Sequence, residues 1–220
     1  MEPTSRKYLF FDLDGTLTDS MPGIARAVQY ALRRFGIDVQ DLATLKPFLG
    51  PPLRDSFMEF YGMSPEEADR AVAVSREYFV PRGMFENELY PGIPELLAAT
   101  AAAGRVNVIA TSKPQPFAER IAAHFGIDRH FRLISGSTFD GRRKTKADVI
   151  HHALSALGIA PGEAVMIGDR RHDVEGAAEE GLPAIAVEWG YAPPGELEAA
   201  RPLRIVPDVE TLRRLLLGNK

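Results

Sequence analysis

Short apolar runs rich in valine, isoleucine and aromatic residues recur along the chain: Tyr8 to Leu13, Val106 to Thr111, Phe131 to Ser135, Ala164 to Ile167, Ala184 to Val187 and Leu203 to Val206. Segments of helical period separate them, and strands alternating with helices predict an α/β fold with a parallel sheet covered on both faces. The interval between the first two runs breaks this rhythm. It reads as helices over Pro22 to Phe35, Leu53 to Tyr61 and Pro65 to Phe79. Ser64 is placed to cap the third of these, with Pro65 at its first position and Glu67 closing a capping box. The pattern therefore predicts an all-helical cap domain over 21–85, inserted into a core domain made of 1–20 and 86–220. Pro22-Gly23 and the Pro81 to Pro91 segment read as hinges, which makes the insert a candidate lid. A closing helix from its Asp208 cap to Leu217 carries Val209, Leu212, Leu215 and Leu216 on one face and reads as structural.

Composition narrows the class. A chain of 220 residues with 45% hydrophobic content can bury a sizeable core. Its net charge of −4 gives no global electrostatic case for nucleic acid or an anionic membrane as partner. Cysteine is absent, so a thiolate nucleophile and a cysteine metal site are excluded and any metal must rest on oxygen ligands. No apolar run approaches the roughly 20 residues that span a bilayer. The expectation is a cytoplasmic protein, monomer or homodimer.

In parallel α/β sheets, functional groups collect at the carboxyl ends of the strands. The first run delivers Asp12 and Asp14, which would share one side of the strand if it ran on, into a turn at Gly15. That turn can offer backbone N–H groups, at Gly15 and Thr16, to a phosphate, while one carboxylate acts as nucleophile and metal ligand and the other as proton donor. The second run ends in Thr111-Ser112-Lys113-Pro114, a hydroxyl and cation set that is otherwise an ordinary helix N-cap. Lys146 opens a helix after Gly141-Arg142-Arg143-Lys144-Thr145, where a cation opposes the macrodipole and so points to a negative partner. The fourth run ends in Gly168-Asp169 with Asp173 four residues on, a corner suited to Mg²⁺. In the insert, Leu49-Gly50-Pro51-Pro52-Leu53-Arg54 presents a cation near a helix start. Arg54 is a candidate specificity residue, or a surface arginine with its stem over Phe57. His151 and His152 lack metal spacing, and Tyr61, Tyr78 and Phe79 read as cap core.

Together these sets resemble the haloacid dehalogenase superfamily of phosphohydrolases. Its four ordered motifs match Asp12-Leu13-Asp14-Gly15-Thr16, Thr111 or Ser112, Lys146, and Gly168-Asp169 with Asp173. The first motif followed by a helical insert is most similar to the phosphoglycolate phosphatase-like branch. Lys113, Lys144 and Lys146 all stand as candidates for the family lysine, and Lys146 is chosen because it opens a helix. The resemblance implies a Rossmann-like core and bound Mg²⁺ held by Asp12, the Asp14 carbonyl and Asp169, with Asp173 orienting or ligating. It implies attack by Asp12 to form an aspartyl-phosphate, acid–base work by Asp14, and phosphoryl binding by Thr111 or Ser112 and Lys146. The expected activity is a Mg²⁺-dependent phosphatase of a small phosphorylated metabolite such as phosphoglycolate. The alternatives are a sugar phosphomutase, a 5'-nucleotidase-type specificity, or a non-catalytic binding module.

Overall fold

The first apolar run forms strand β1 (Tyr8–Phe11), which stops two residues before the run does. The chain folds back there: the N–H groups of Leu17 and Thr18 donate to the Leu13 carbonyl at 2.9 and 3.0 Å, and Gly15 takes φ +80°, the left-handed region that favours glycine. The structure is a computed structural model that describes residues 6–218. Two compact units emerge, one of segments up to Thr18 and from Leu89 onward, the other Asp19–Glu88. The chain passes between them at the short strands β2 (Thr18–Asp19) and β3 (Glu88–Leu89).

The Asp19–Glu88 unit is helical, with α1 (Met21–Arg34), α2 (Leu53–Tyr61) and α3 (Pro65–Phe79). The capping box is present: Ser64 Oγ accepts from the Glu67 N–H at 3.2 Å, and Glu67 Oε2 accepts from the Ser64 N–H at 2.9 Å. Val28, Leu32, Leu45, Phe48, Phe57 and Ala71 form its core, and Phe48 meets Phe57 edge-on at 5.1 Å. Pro22 and Gly23 lie in the first turn of α1 and not at a crossing between units. A Cβ on Gly23 would come 1.8 Å from the Gly83 carbonyl oxygen, so this glycine serves a close backbone approach inside the unit.

In the other unit, β1 joins β4 (Val106–Pro114), β5 (Phe131–Ser137), β6 (Ala164–Gly168), β7 (Ala184–Val187) and β8 (Arg204–Val206) in one parallel sheet of order β5-β4-β1-β6-β7-β8. Around it lie α4 (Ile93–Ala102), α5 (Gln115–His124), α6 (Lys146–Leu157), α7 (Arg171–Glu179), α8 (Glu196–Ala200) and α9 (Val209–Leu217). Phe10, Val108, Ala110 and Met166 pack with Val149, Ile150 and Val174 into one fully covered layer. The buried Asn107 is satisfied by α4: Thr100 Oγ1 donates to its Oδ1 at 3.0 Å, and its Nδ2 donates to the Leu97 carbonyl at 3.2 Å. Strand β4 runs three residues beyond the apolar pattern. Its register with β5 pairs Thr111 with Gly136 and Pro114 with Ser137, so Ser112 and Lys113 bulge out of the ladder. Thr111 and Ser112 are therefore strand residues, and the N-cap of α5 is Pro114, without a side-chain cap. No helix among the described residues is long and apolar enough to cross a membrane.

Candidate active site

The sheet order decides what meets Asp12. β4 and β6 flank β1, so the ends of all three strands lie side by side and bring residues far apart in sequence together. Carboxylate oxygens of Asp12, Asp169 and Asp173 lie within 4.8 Å of one another, all three residues buried. The Lys146 ammonium, at the first residue of α6, stands 2.9 Å from Asp12 Oδ1 and 2.7 Å from Asp173 Oδ1, and donates to the Ala110 carbonyl at 3.1 Å. Lys113 Nζ stands 2.9 Å from Asp14 Oδ2. Of the three candidate lysines, Lys144 is exposed and contributes only its backbone N–H, to Asp148 at 2.9 Å.

Glycines make this crowding possible. A Cβ on Gly15 would fall 2.2 Å from Asp169 Oδ2, one on Gly190 2.3 Å from the Asp169 Cβ, and one on Gly168 2.1 Å from the Asp173 Cγ. Gly176 of α7 packs on α6 in the same manner, where a Cβ would lie 2.8 Å from the Lys146 Cβ. Asp169 is fixed at both oxygens: Thr16 Oγ1 donates to Oδ1 at 3.2 Å and the Tyr191 N–H to Oδ2 at 2.8 Å. Asp173 Oδ2 accepts from the Arg170 N–H at 3.0 Å, and Arg170 is itself clamped to Glu196 at 2.8 and 3.1 Å.

Burial pushes the Asp169 carboxyl well up, and the neighbouring charges of Asp173 and Asp12 push it further, against the Tyr191 N–H. The Asp173 carboxyl is pushed up to about 6 by burial, the Lys146 ammonium pulling it down and the Asp12 charge raising it again. Burial works to lower the Lys146 ammonium, yet Asp12 and Asp173 together hold it above the usual lysine range. When all are ionised, the four carboxylates Asp12, Asp14, Asp169 and Asp173 face two ammonium groups, which leaves two negative charges over. Asp12 Oδ1 and Asp173 Oδ1 are buried and share the one Lys146 ammonium between them. An all-oxygen, doubly negative cluster of this kind fits one hard divalent cation such as Mg²⁺.

One expectation changes. The N–H groups of Gly15 and Thr16 are used inside the turn, by the carbonyls of Thr18 at 2.8 Å and Leu13 at 3.3 Å, because the turn closes on itself. Gly15 provides space for Asp169, and Thr16 a hydroxyl to it, in place of phosphate donors. Arg54 belongs to the helical unit, where its Nε is 2.8 Å from Asp69 Oδ1. The sequence reading missed Trp189, Gly190 and Tyr191. The indole N–H of Trp189 donates to the Thr16 carbonyl at 3.1 Å, bracing the first turn. The signal was available: the chain's sole tryptophan, followed by Gly-Tyr, just past the carboxyl end of an apolar run. No histidine joins the carboxylate group among the described residues. His151 pairs with Glu180 at 3.0 Å and His152 Nδ1 lies 2.9 Å from Ser135 Oγ.

The family model for haloacid dehalogenase-like hydrolases matches residues 9–187. A 5'-nucleotidase of Pseudomonas aeruginosa is 47% identical over 208 residues, 94% of each chain. The tyrosine-protein kinase PtkA of Mycobacterium tuberculosis is 44% identical over 189 residues, 85% of this chain and 64% of that protein. A crystal structure of a predicted phosphatase from Clostridium acetobutylicum superposes with a TM-score of 0.93 at 45% identity, covering 97% of this chain and 99% of the other.

Proposed function

The chain belongs to the haloacid dehalogenase-like hydrolase family and is a phosphoric monoester hydrolase, and from that premise we propose that it is Mg²⁺-dependent and acts on nucleoside 5'-monophosphates or similarly small phosphomonoesters. The convergence of Asp12, Asp14, Lys146, Asp169 and Asp173 at three adjacent strand ends carries this reading. Phosphoglycolate is the substrate class that the motifs alone suggest. The name borne by the 47% identical relative moves nucleotides ahead of it.

In this mechanism Asp12 attacks phosphorus, forming an O–P bond as the bond to the ester oxygen breaks. Asp14 delivers a proton to that leaving oxygen and then takes one from the water that opens the aspartyl-phosphate. Lys146 and the Thr111 hydroxyl hold the transferring oxygens. Thr111 Oγ1 accepts from the Lys113 N–H at 3.2 Å, so its own proton remains to be donated. Asp12, Asp169 and the Asp14 main-chain carbonyl would hold Mg²⁺, with Asp173 adding a further carboxylate. When bound, the ion would neutralise the charge that gathers on the phosphoryl oxygens. The core recognises mainly the phosphoryl group, so the helical unit selects the substrate, with Arg54 as the residue that reads its second polar group.

The test is phosphate release from a panel of nucleoside monophosphates, phosphoglycolate, sugar phosphates and a phenyl phosphate, with Mg²⁺ and with chelator. Metal-dependent release led by the nucleotides is expected. Folded protein that releases nothing ends this reading. Isomerised sugar phosphate in place of free phosphate would make the chain a mutase, and label passing from ATP to a tyrosine peptide would align it with the mycobacterial relative's name.

A further inference from the structure

Lys113 has no part in the mechanism above, yet its placement is costly for a lysine without a task. Its ammonium is 2.9 Å from Asp14 Oδ2, with the two side chains only 6% and 16% exposed. Ion pairs withdrawn from water to this degree add little net stability, because desolvation offsets most of the attraction. The backbone is also shaped to deliver it. The register shift between Thr111 and Pro114 sets Lys113 outside the regular ladder, and Gly136 on β5 makes room for it. A Cβ at Gly136 would lie 2.7 Å from the Lys113 carbonyl oxygen and 2.5 Å from the Gln115 Cα. Bulges beside active sites re-aim side chains in this way.

The pair makes the two oxygens of Asp14 unequal. Oδ2 faces the ammonium, whereas Oδ1 is buried and has no hydrogen-bond partner among the described residues. We propose that Lys113 is the positioning residue for Asp14: it pins Oδ2, fixes the carboxylate plane, and leaves Oδ1 as the atom that exchanges the proton. In the first step the Oδ1–H bond breaks and its proton goes to the ester oxygen, which keeps the electron pair of the cleaved P–O bond. In the second, Oδ1 takes a proton from the attacking water. The inference rests on the phosphatase reading, and wild-type turnover tests that reading separately.

The experiment compares kcat/KM for an alkyl phosphate, a nucleoside 5'-monophosphate, with that for 4-nitrophenyl phosphate, whose leaving group departs without a proton. Lys113→Met is expected to lower kcat/KM for the nucleotide by roughly 10²-fold, the lower range of acid–base contributions, and for the aryl ester at least tenfold less. Lys113→Arg should recover part of the loss. In an Asp14→Asn background Lys113→Met should add little further loss, since the two act as one unit. Should the methionine variant not fold, Lys113→Gln replaces it with the same expectation. Equal losses on both esters with raised KM would make Lys113 a phosphate-binding cation and overturn the proposal. So would an undiminished Lys113→Met effect in the Asp14→Asn background, or no effect at all.

Discussion

Withdrawal of the divalent cation is expected to expose a pH-dependent weakness in the fold. In the metal-free protein the Asp173 carboxyl is held at about 6 against an ordinary value of 3.8, first by burial, with Lys146 opposing and the Asp12 charge reinforcing. The folded chain therefore binds this proton more tightly than the unfolded chain. Its stability falls as pH rises from about 4 to about 6 and is level beyond. A shift from 3.8 to about 6 corresponds to about 3 kcal/mol. Roughly half of that loss falls between pH 5 and 7. Asp169 is pushed in the same direction; Glu67, Asp140, Asp148, Glu196 and Asp208, shifted the opposite way, have given their stabilising contribution by about pH 5, while His152 and His172, both lowered first by burial, gain stability as pH rises and do so with or without the metal. Trp189 is the chain's sole tryptophan and belongs to the unit that holds the carboxylates, so its emission during urea unfolding reads the relevant unit. The unfolding free energy with chelator, measured against the same protein in saturating Mg²⁺ so that the histidines cancel, should fall between pH 5 and 7. Asp169→Asn, which removes one charge and keeps an oxygen for the Tyr191 N–H, should be more stable than the chelated parent and indifferent to Mg²⁺. A gap between the chelated and the Mg²⁺-saturated protein that narrows across this window, or Mg²⁺ that leaves the transition unmoved, would refute the reasoning.

Asp12→Asn should cost at least about 10³-fold in turnover in protein that still folds, because the proposed nucleophile is lost and its volume kept; wild-type-like phosphate release would defeat the mechanism. Gly176→Ala should push on the Lys146 Cβ and the Ala147 nitrogen, costing about 1–3 kcal/mol in unfolding free energy and lowering kcat disproportionately. Normal turnover in that variant would show that α6 absorbs the shift. Arg54→Ala breaks an ion pair with Asp69 that is largely exposed and worth under about 1 kcal/mol, so melting should barely move while relative rates across the substrate panel change. Unchanged selectivity removes Arg54 from substrate recognition.

The features legible in the amino-acid sequence are local ones. The six apolar runs are the six strands of the main sheet, because each is a short buried segment bounded by turn residues. Helices α2 and α3 begin and end where pattern and capping placed them, since Ser64, Pro65 and Glu67 act within one turn. Residues whose roles depend on distant neighbours were harder to read. Gly23 looked like a hinge because its contact, Gly83, is sixty residues on in the same unit. The extension and bulge of β4 arise from pairing with β5, so Ser112 and Lys113 looked like the start of a helix. Pairing of Lys113 with Asp14 follows from β4 lying beside β1, a fact of strand order that no local pattern carries.

That order also sets a schedule for synthesis. Tyr8 pairs with Val106 on one side and with Ala164 on the other, so the strand that carries Asp12 is made first and receives its second neighbour late. Until then Leu9, Phe10 and Phe11 present an apolar ribbon with unpaired edges, the kind of segment that sticks to other chains. The Asp19–Glu88 segment emerges in that interval with its own apolar core to bury, and can fold while the ribbon waits. The carboxylate cluster around Asp12 thus depends on a central strand whose non-local partners make folding slow and leave the nascent chain exposed to aggregation.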